Sequence, residues 1–265
     1  MKFKMPPKPK ISRRTVTALI FVVSAALVVF LMVISAFAIQ SVKHFKISGE
    51  TSYSAEYLIE SSGVELGEPL FFKNRVDAEQ KLLSEATRLK NVKIKPSFFS
   101  TVIIEVEEEQ GSYYSMINGE YYLLSKDFRV LEMSESSDAY AKEAVRFSLY
   151  GRDIVSALEG EYIEFSDENT KEELFTFLRE IESIPFGDHG VSSLGFEDNV
   201  WRDAYIVLDG RLKIIFGDLN SVKEKIGFAL KFIYESEITY DTAKIIISEG
   251  ENGYEAYYSE AESVE

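Results

Sequence analysis

The chain has 265 residues and a formal net charge of −15, with 44 acidic residues against 29 lysines and arginines. An acidic surface of this kind repels polyanions, so nucleic acid is not an expected partner. The sequence contains no cysteine, which excludes a disulfide framework, a thiolate zinc site and a thiol nucleophile. With 19 phenylalanines and 15 tyrosines but few glycines and prolines, the composition is that of a folded protein, apart from the acidic end of the chain.

An unbroken run of uncharged, mostly apolar residues extends from Val16 to Ile39, and every charged residue before it is basic. At ~1.5 Å per residue the run is ~36 Å long, enough to cross a ~30 Å hydrocarbon core. We therefore predict a basic cytoplasmic tail over 1–14 and an uncleaved transmembrane signal-anchor over 15–39, since cations favour the cytoplasmic side. The rest of the chain would lie outside, as in a single-pass type II protein of the cell membrane. The alternative is a cleaved secretory signal with its site at Ala36-Phe37-Ala38, although apolar stretches of such signals are usually only about 7–15 residues long.

Residues 42–110 are predicted to form a compact β-α-α-β-β unit. Ser54 can cap the first helix and Gly63 can end it. The second helix is expected over 75–89. Its inner face would consist of Val76, Leu83, Ala86 and Leu89. The strands are expected over 41–48, 92–95 and 101–106.

Residues 111–250 are predicted to form a mixed, β-rich domain with two longer helices. Asn118-Gly119 and Asp209-Gly210 each favour a hairpin turn. Strands are expected over 112–117, 121–125, 128–133, 205–208, 212–216 and 243–248. The helices are expected over 167–184 and 219–236. The first of them has the clearest apolar stripe, Leu174, Phe177, Leu178 and Ile181. The fold class is therefore α+β.

The end of the chain, residues 251–265, permits two interpretations. It is rich in glutamate and tyrosine, which is typical of a solvated acidic tail. However, Asn252-Gly253 is a good turn signal, so the tyrosines after it can instead belong to a final edge strand.

We find no sequence pattern that indicates catalysis, a metal or a cofactor. His44 and His189 have no partners at metal-ligand spacing, and the known nucleophile, zinc and phosphate motifs are absent from the sequence. Glu105, Glu107 and Glu109 would share one face of a strand, where solvated carboxylates are expected rather than an acid–base pair. We therefore expect no enzyme activity, no cofactor and no small-molecule substrate.

The ordered set of these features resembles the bacterial cell-division family FtsQ/DivIB. Residues 45–72 are similar to the first strand, turn, helix and exit of its polypeptide-transport-associated (POTRA) domain, and residues 92–110 to the closing hairpin of that domain. Residues 118–133 and 205–234 are similar to parts of its β domain. The sequence departs from the family at Ser125–Phe128, where an Asp-x-x-Gly turn is frequent, and at Glu107–Glu109, where Glu-Arg is frequent.

The resemblance implies a non-enzymatic scaffold of the division septum, linked to septal peptidoglycan synthesis. Its implied partners are small single-pass proteins like FtsL and DivIC/FtsB, together with the membrane itself. Two alternatives stay open: a general envelope-biogenesis protein with a POTRA-like binding module, and a peptidoglycan hydrolase.

For such a scaffold, strand addition at a sheet edge is the expected mode of binding, because an edge strand has main-chain groups without partners. The last strand of the domain is the natural edge, and tyrosines there supply contact area. The predicted partner-binding residues are Ile245, Ile246, Ile247, Ser248, Gly253, Tyr254, Tyr257 and Tyr258.

Overall fold

The computed structural model describes residues 13–38, 41–70, 74–98, 100–150, 153–197, 204–236, 238, 241–251 and 253–263. Its first element is helix α1 (Arg13–Ala38), which over Val16–Ile34 is long and apolar enough to cross a membrane. Ser24, a polar residue in this span, donates its hydroxyl to the Phe21 carbonyl at 3.0 Å and is thus satisfied within the helix. The predicted apolar helix is confirmed, whereas the basic residues before Arg13 lie outside the described residues.

The chain divides into two compact units, and the first consists of Met1–Ala86 and Asn91–Glu107. After α1 come strand β1 (His44–Ser48), helices α2 (Ala55–Ser62) and α3 (Arg75–Glu85), and strands β2 (Leu89–Ser97) and β3 (Thr101–Glu108). Among the described residues these strands form a sheet of order β1-β3-β2, in which β1 and β3 are parallel. The predicted β-α-α-β-β order is confirmed.

Local signals in the sequence account for the bounds of α2. The Ser54 side chain accepts a hydrogen bond from the Tyr57 amide at 3.2 Å, and Gly63 follows the helix in the left-handed conformation. Both predicted caps are therefore confirmed.

Helix α3 differs from its prediction in length and in the face that it buries. It ends at Glu85, and Leu89 already belongs to β2. The buried helical residues are Ala78 and Leu82, whereas Val76 is 57% exposed. Of the other residues predicted for its inner face, Ala86 and Leu89 are buried but lie past the end of the helix, and Leu83 is only partly buried.

The turn after β1 depends on a glycine. Gly49 has φ of 117°, and a Cβ atom there would lie 2.0 Å from the Val106 carbonyl oxygen. Such a distance is far below van der Waals contact, so the turn can approach β3 only without a side chain at this position.

The second unit consists of Thr87–Lys90 and Glu108–Glu265. Its strands are β4 (Tyr113–Ile117), β5 (Glu120–Leu124), β6 (Val130–Ser134), β7 (Val145–Ser148), β8 (Ile154–Ser156), β9 (Glu164–Phe165), β10 (Val191–Phe196), β11 (Ala204–Leu208), β12 (Leu212–Gly217), β13 (Ala243–Gly250) and β14 (Gly253–Glu260). Its helices are α4 (Glu168–Glu182) and α5 (Val222–Glu235), and a short 3₁₀ helix covers Ser137–Ala139.

In the described residues, nine of these strands form one sheet of order β14-β13-β12-β11-β10-β7-β4-β5-β6. The pairs β12–β13, β7–β10 and β4–β7 are parallel, and the other pairs are antiparallel. Both predicted hairpins are present, as β4–β5 and β11–β12. The sheet therefore places β14 at one edge and β6 at the other.

Helices α4 and α5 cover one face of this sheet and form the main core with it. The predicted stripe of α4 is confirmed, since Leu174, Phe177, Leu178 and Ile181 are all buried. Burial of each such side chain contributes roughly 1.5–3 kcal/mol. Phe128 is also fully buried in this core, but it lies in a turn with φ of 62°, so the strand predicted from residue 128 begins only at Val130.

Candidate partner-binding edge of the sheet

The β13–β14 hairpin forms one edge of the nine-stranded sheet. β13 pairs with β12 on one side and with β14 on the other. Gly250 lies opposite Gly253 at the turn, and Ala243 lies opposite Glu260 at the open end. Asn252 of the predicted turn lies outside the described residues. The tyrosines that follow it belong to a strand.

One hydrogen bond fixes which main-chain groups of β14 point away from β13. Ala261 donates its amide to the Thr242 carbonyl at 3.2 Å. Ala261 and Thr242 are therefore a hydrogen-bonded pair, and such pairs alternate with non-hydrogen-bonded pairs along an antiparallel ladder. By this alternation Tyr257 forms a hydrogen-bonded pair with Ile246. The residues between such pairs direct their amide and carbonyl groups away from β13. The outward-pointing main chain of β14 therefore includes Tyr254, Ala256 and Glu260.

Four of the predicted partner-binding residues lie in β13, one strand inside the edge. Ile245 and Ile247 are buried under the helices, and their main chain faces β12. Ile246 and Ser248 pair with β14 instead. The main chain of these four residues is thus used within the sheet, and the other four predicted residues, Gly253, Tyr254, Tyr257 and Tyr258, lie in β14 itself.

The residues of β14 whose amide and carbonyl groups point away from β13 have their side chains on the face of the sheet that the helices cover. The Tyr254 ring packs on Phe228 with centroids 6.0 Å apart, and the Tyr258 ring packs on Phe232 at 5.7 Å. Ala256 lies between the two tyrosines along this face. The edge therefore combines outward main-chain groups with two aromatic side chains on either side of a small residue.

The opposite face of the edge is aromatic and more exposed. Tyr257 is 59% exposed and lies opposite Ile246, which is 43% exposed. The Tyr257 hydroxyl donates to Glu255 Oε2 at 2.6 Å, and this bond raises the pKa of Tyr257. A strand added to β14 would find apolar contacts on both faces.

The edge is also strongly acidic. Its exposed glutamates are Glu249, Glu251, Glu255, Glu260 and Glu262. Lys244 is the single cation between Ala243 and Glu262, and it pairs with Glu197 at 3.8 Å. The negative charge of this surface is therefore largely uncompensated by the hairpin itself.

The opposite edge of the sheet, at β6, is covered by the chain's own loop. The Val130 amide donates to the Glu161 carbonyl at 2.7 Å, and the Gly160 amide donates to the Val130 carbonyl at 2.8 Å. The Met133 amide donates to Glu159 Oε1 at 2.8 Å. Of the two edges of this nine-stranded sheet, β14 is therefore the one that is open to another strand among the described residues.

Elsewhere in this unit, hydrogen bonds to the Asp209 side chain stabilise a turn. His189 Nδ1 lies 2.5 Å from Asp209 Oδ2, and the Gly190 amide donates to Asp209 Oδ1 at 2.8 Å. These bonds lower the pKa of Asp209, most of all the bond with His189, and they tie the β11–β12 turn to β10. Among the described residues, no three histidine or acidic side chains cluster in a way that could hold a metal ion.

A cleft of about 570 Å³ lies along α4 and has mixed charge. Lys126 pairs with Glu182 at 2.8 Å, and the Lys171 ammonium lies 5.0 Å from the centre of the Tyr162 ring. Burial raises the pKa of Tyr113, which lines the cleft, to about 12. Tyr113 is therefore neutral, and Lys126 and Lys171 each interact with a neighbouring side chain.

Two comparisons identify related proteins. A family model described as "POTRA domain, FtsQ-type" matches residues 40–109. Proteins named cell division protein DivIB from Clostridium botulinum strains Hall and Loch Maree are 28% and 27% identical over 129 residues. Each alignment covers 49% of this chain and 48% of the relative, so the match spans about half the length of these curated relatives.

Proposed function

Because this chain belongs to the FtsQ/DivIB family, we propose that it is a non-enzymatic cell-division protein anchored in the bacterial cell membrane. Its second unit recruits or stabilises small single-pass partners like FtsL and DivIC/FtsB at the septum. Through them it links division to septal peptidoglycan synthesis.

The observation that carries this proposal is the outward-pointing main chain of β14. The opposite edge of the sheet is bonded to residues 159–161, whereas the described strands end at β14. An extended segment of a partner can therefore pair with Tyr254, Ala256 and Glu260 and continue the sheet.

The charge of the edge specifies the chemistry of that segment. An added strand passes beside Glu255 and Glu260, so lysine or arginine in the partner complements them. The attraction between these charges speeds the association of the partner and is screened by salt. The binding energy from contacts with Tyr254 and Tyr258 depends instead on the apolar area that they bury. The partner segment is thus an extended strand with apolar residues toward α5 and cations nearby.

Helix α1 supplies the anchor in this proposal. Its span is Val16–Ile34, and six cations precede residue 15, so the N-terminus stays cytoplasmic and the chain from residue 41 onward lies outside. Protease added to intact protoplasts should then remove the chain from residue 41 onward. Protection of that part of the chain would contradict this topology.

The test of partner binding uses the full chain in dividing cells. Tyr254, Tyr257 and Tyr258 are replaced one at a time by a photo-crosslinking amino acid. Tyr162 is the matched control, because it is also a tyrosine of the second unit and is 55% exposed. We expect crosslinks to a small single-pass coiled-coil protein from β14 only, and a septal band for the fluorescently tagged chain.

Two outcomes would contradict the proposal. Crosslinks from Tyr162 that match those from β14 would mean that proximity in the membrane, rather than the edge, explains the signal. An even membrane distribution of the tagged chain would instead favour a general role in the envelope.

A further inference from the structure

Two loops of the first unit bond to the segment that follows the membrane helix. Val42 donates its amide to the Glu68 carbonyl at 2.8 Å, and its own carbonyl accepts from the Gly67 amide at 2.9 Å. The two residues that follow, Lys43 and His44, both donate their amides to the Ser100 carbonyl, at 2.8 and 3.2 Å. The chain from 41 to 44 therefore runs between the loop before Leu70 and the turn that joins β2 to β3.

In the described part of each of these loops, a large apolar side chain is exposed. Leu66 is 66% exposed and Phe98 is 74% exposed, although Val42 and Leu70 beside them are buried. A single exposed leucine or phenylalanine is common on protein surfaces. Two of them on loops that bond to one short segment mark that end of the unit as apolar.

The length of the chain places this end close to the bilayer. Only four peptide steps separate Ala38, the end of α1, from Val42, so the two Cα atoms lie at most ~14 Å apart. The headgroup layer is roughly 5–8 Å thick on each side of the ~30 Å core. With 26 residues at ~1.5 Å each, α1 is ~39 Å long and can itself extend through that layer.

We propose that Leu66 and Phe98 insert into the headgroup region of the outer leaflet and seat the first unit on the membrane. This proposal rests on the anchoring by α1 proposed above. Among the described residues of these loops and of the 41–44 segment, Lys43, His44 and Glu65 are exposed and Glu68 is partly buried, so their combined charge gives little attraction to anionic lipid. The contact is therefore apolar, made to a zwitterionic bilayer and insensitive to salt.

The test measures the depth of single tryptophans in the full chain, reconstituted in phosphatidylcholine nanodiscs with brominated acyl chains. The one natural tryptophan is removed by Trp201→Phe, and Leu66→Trp or Phe98→Trp is then added. Phe30→Trp within α1 reports the anchor. Glu50→Trp, an exposed position beyond the far end of β1, is the matched control on the same unit.

We expect bromine to quench tryptophan at positions 66 and 98, with blue-shifted emission that high salt does not reverse, and to leave position 50 unquenched. Strong quenching at position 30 with none at 66 or 98 would overturn the contact while leaving the anchor in place, and would assign the two side chains to a protein partner. Absence of quenching at position 30 would overturn the anchoring and, with it, the contact. Equal quenching at positions 50, 66 and 98 would also refute a specific membrane-facing end.

Discussion

Two neighbouring proline substitutions distinguish the proposed partner-binding edge of β14 from the ladder that holds β14 in place. Ala256 points its amide outward, whereas Tyr257 bonds Ile246 across the ladder. Proline removes the amide donor at either position and is tolerated on an edge strand when that donor faces outward. Ala256→Pro should therefore impair partner binding, and Tyr257→Pro should impair folding.

The magnitudes follow from the single hydrogen bond that each change removes. A hydrogen bond contributes about 0.5–1.5 kcal/mol net, and a buried carbonyl left unpaired costs about 1–3 kcal/mol. Since 1.4 kcal/mol is a factor of ten, Ala256→Pro should weaken partner binding roughly 10- to 100-fold while changing unfolding by less than about 1 kcal/mol. Tyr257→Pro should lower the free energy of unfolding by about 1–3 kcal/mol, which is several degrees in Tm for a domain of this size.

The assay combines titration of the partner against the full chain in nanodiscs with thermal unfolding of the same samples. Ala256→Ser is the matched control, because it keeps the donor and adds little volume. Wild-type affinity for Ala256→Pro would show that the partner does not pair with β14. Unfolding by Ala256→Pro together with a stable Tyr257→Pro would show that the assigned direction of the β14 main chain is inverted.

Three further changes test the packing of the second unit. Tyr140 has a buried hydroxyl without a described hydrogen-bond partner, which costs free energy of desolvation. Tyr140→Phe removes this hydroxyl and should raise the free energy of unfolding, measured by denaturant titration, by about 1–3 kcal/mol. A loss of stability would instead show that the hydroxyl has a partner. Lys225 is buried and donates to Asp218 at 2.5 Å, which lowers the pKa of the Asp218 carboxyl. The ionised carboxylate therefore stabilises the fold above its unfolded pKa of about 3.9, and this contribution is lost as pH falls through the lower folded pKa. Asp218→Asn should thus reduce stability at neutral pH and flatten the acid side of the stability–pH curve, and an unchanged curve would refute the coupling. Gly195 has φ of 140° and a Cβ there would lie 2.3 Å from the Ser148 carbonyl oxygen, so Gly195→Ala should cost about 1–3 kcal/mol or more and lower Tm; an unchanged Tm would contradict this geometry.

How much of the fold the sequence could predict depended on local signals. The stripe of α4 has a complete helical period between Asp167 and Pro185, and its buried residues were predicted correctly. For α3, the predicted residues Ala86 and Leu89 are buried, but they lie past its last residue, because the apolar residues continue from the helix into β2 without a break. Strands β7 and β10, in the middle of the sheet, were not predicted at all. β10 reads Val-Ser-Ser-Leu-Gly-Phe, which has no strict alternation, and tertiary pairing decides its conformation.

The candidate site illustrates a second limit. The Asn-Gly signal and the tyrosines indicated a possible strand near the end of the chain, and the structure has β14 there. The sequence could not decide which neighbour each strand would take, since strand order is a property of the whole sheet. The predicted set therefore included Ile245 and Ile247, whose buried side chains anchor the edge rather than form it.

The place of β14 in the chain has a consequence for synthesis. β14 is translated after all the other strands of its sheet, and at roughly 5–20 residues per second it follows β13 by about a second. A chain that ends before Gly253 lacks β14, so its sheet ends at β13, whose outer main-chain groups then form an unpaired edge that is open to mispairing. Under the proposed role of β14, such a chain also lacks the strand that would pair with the partner.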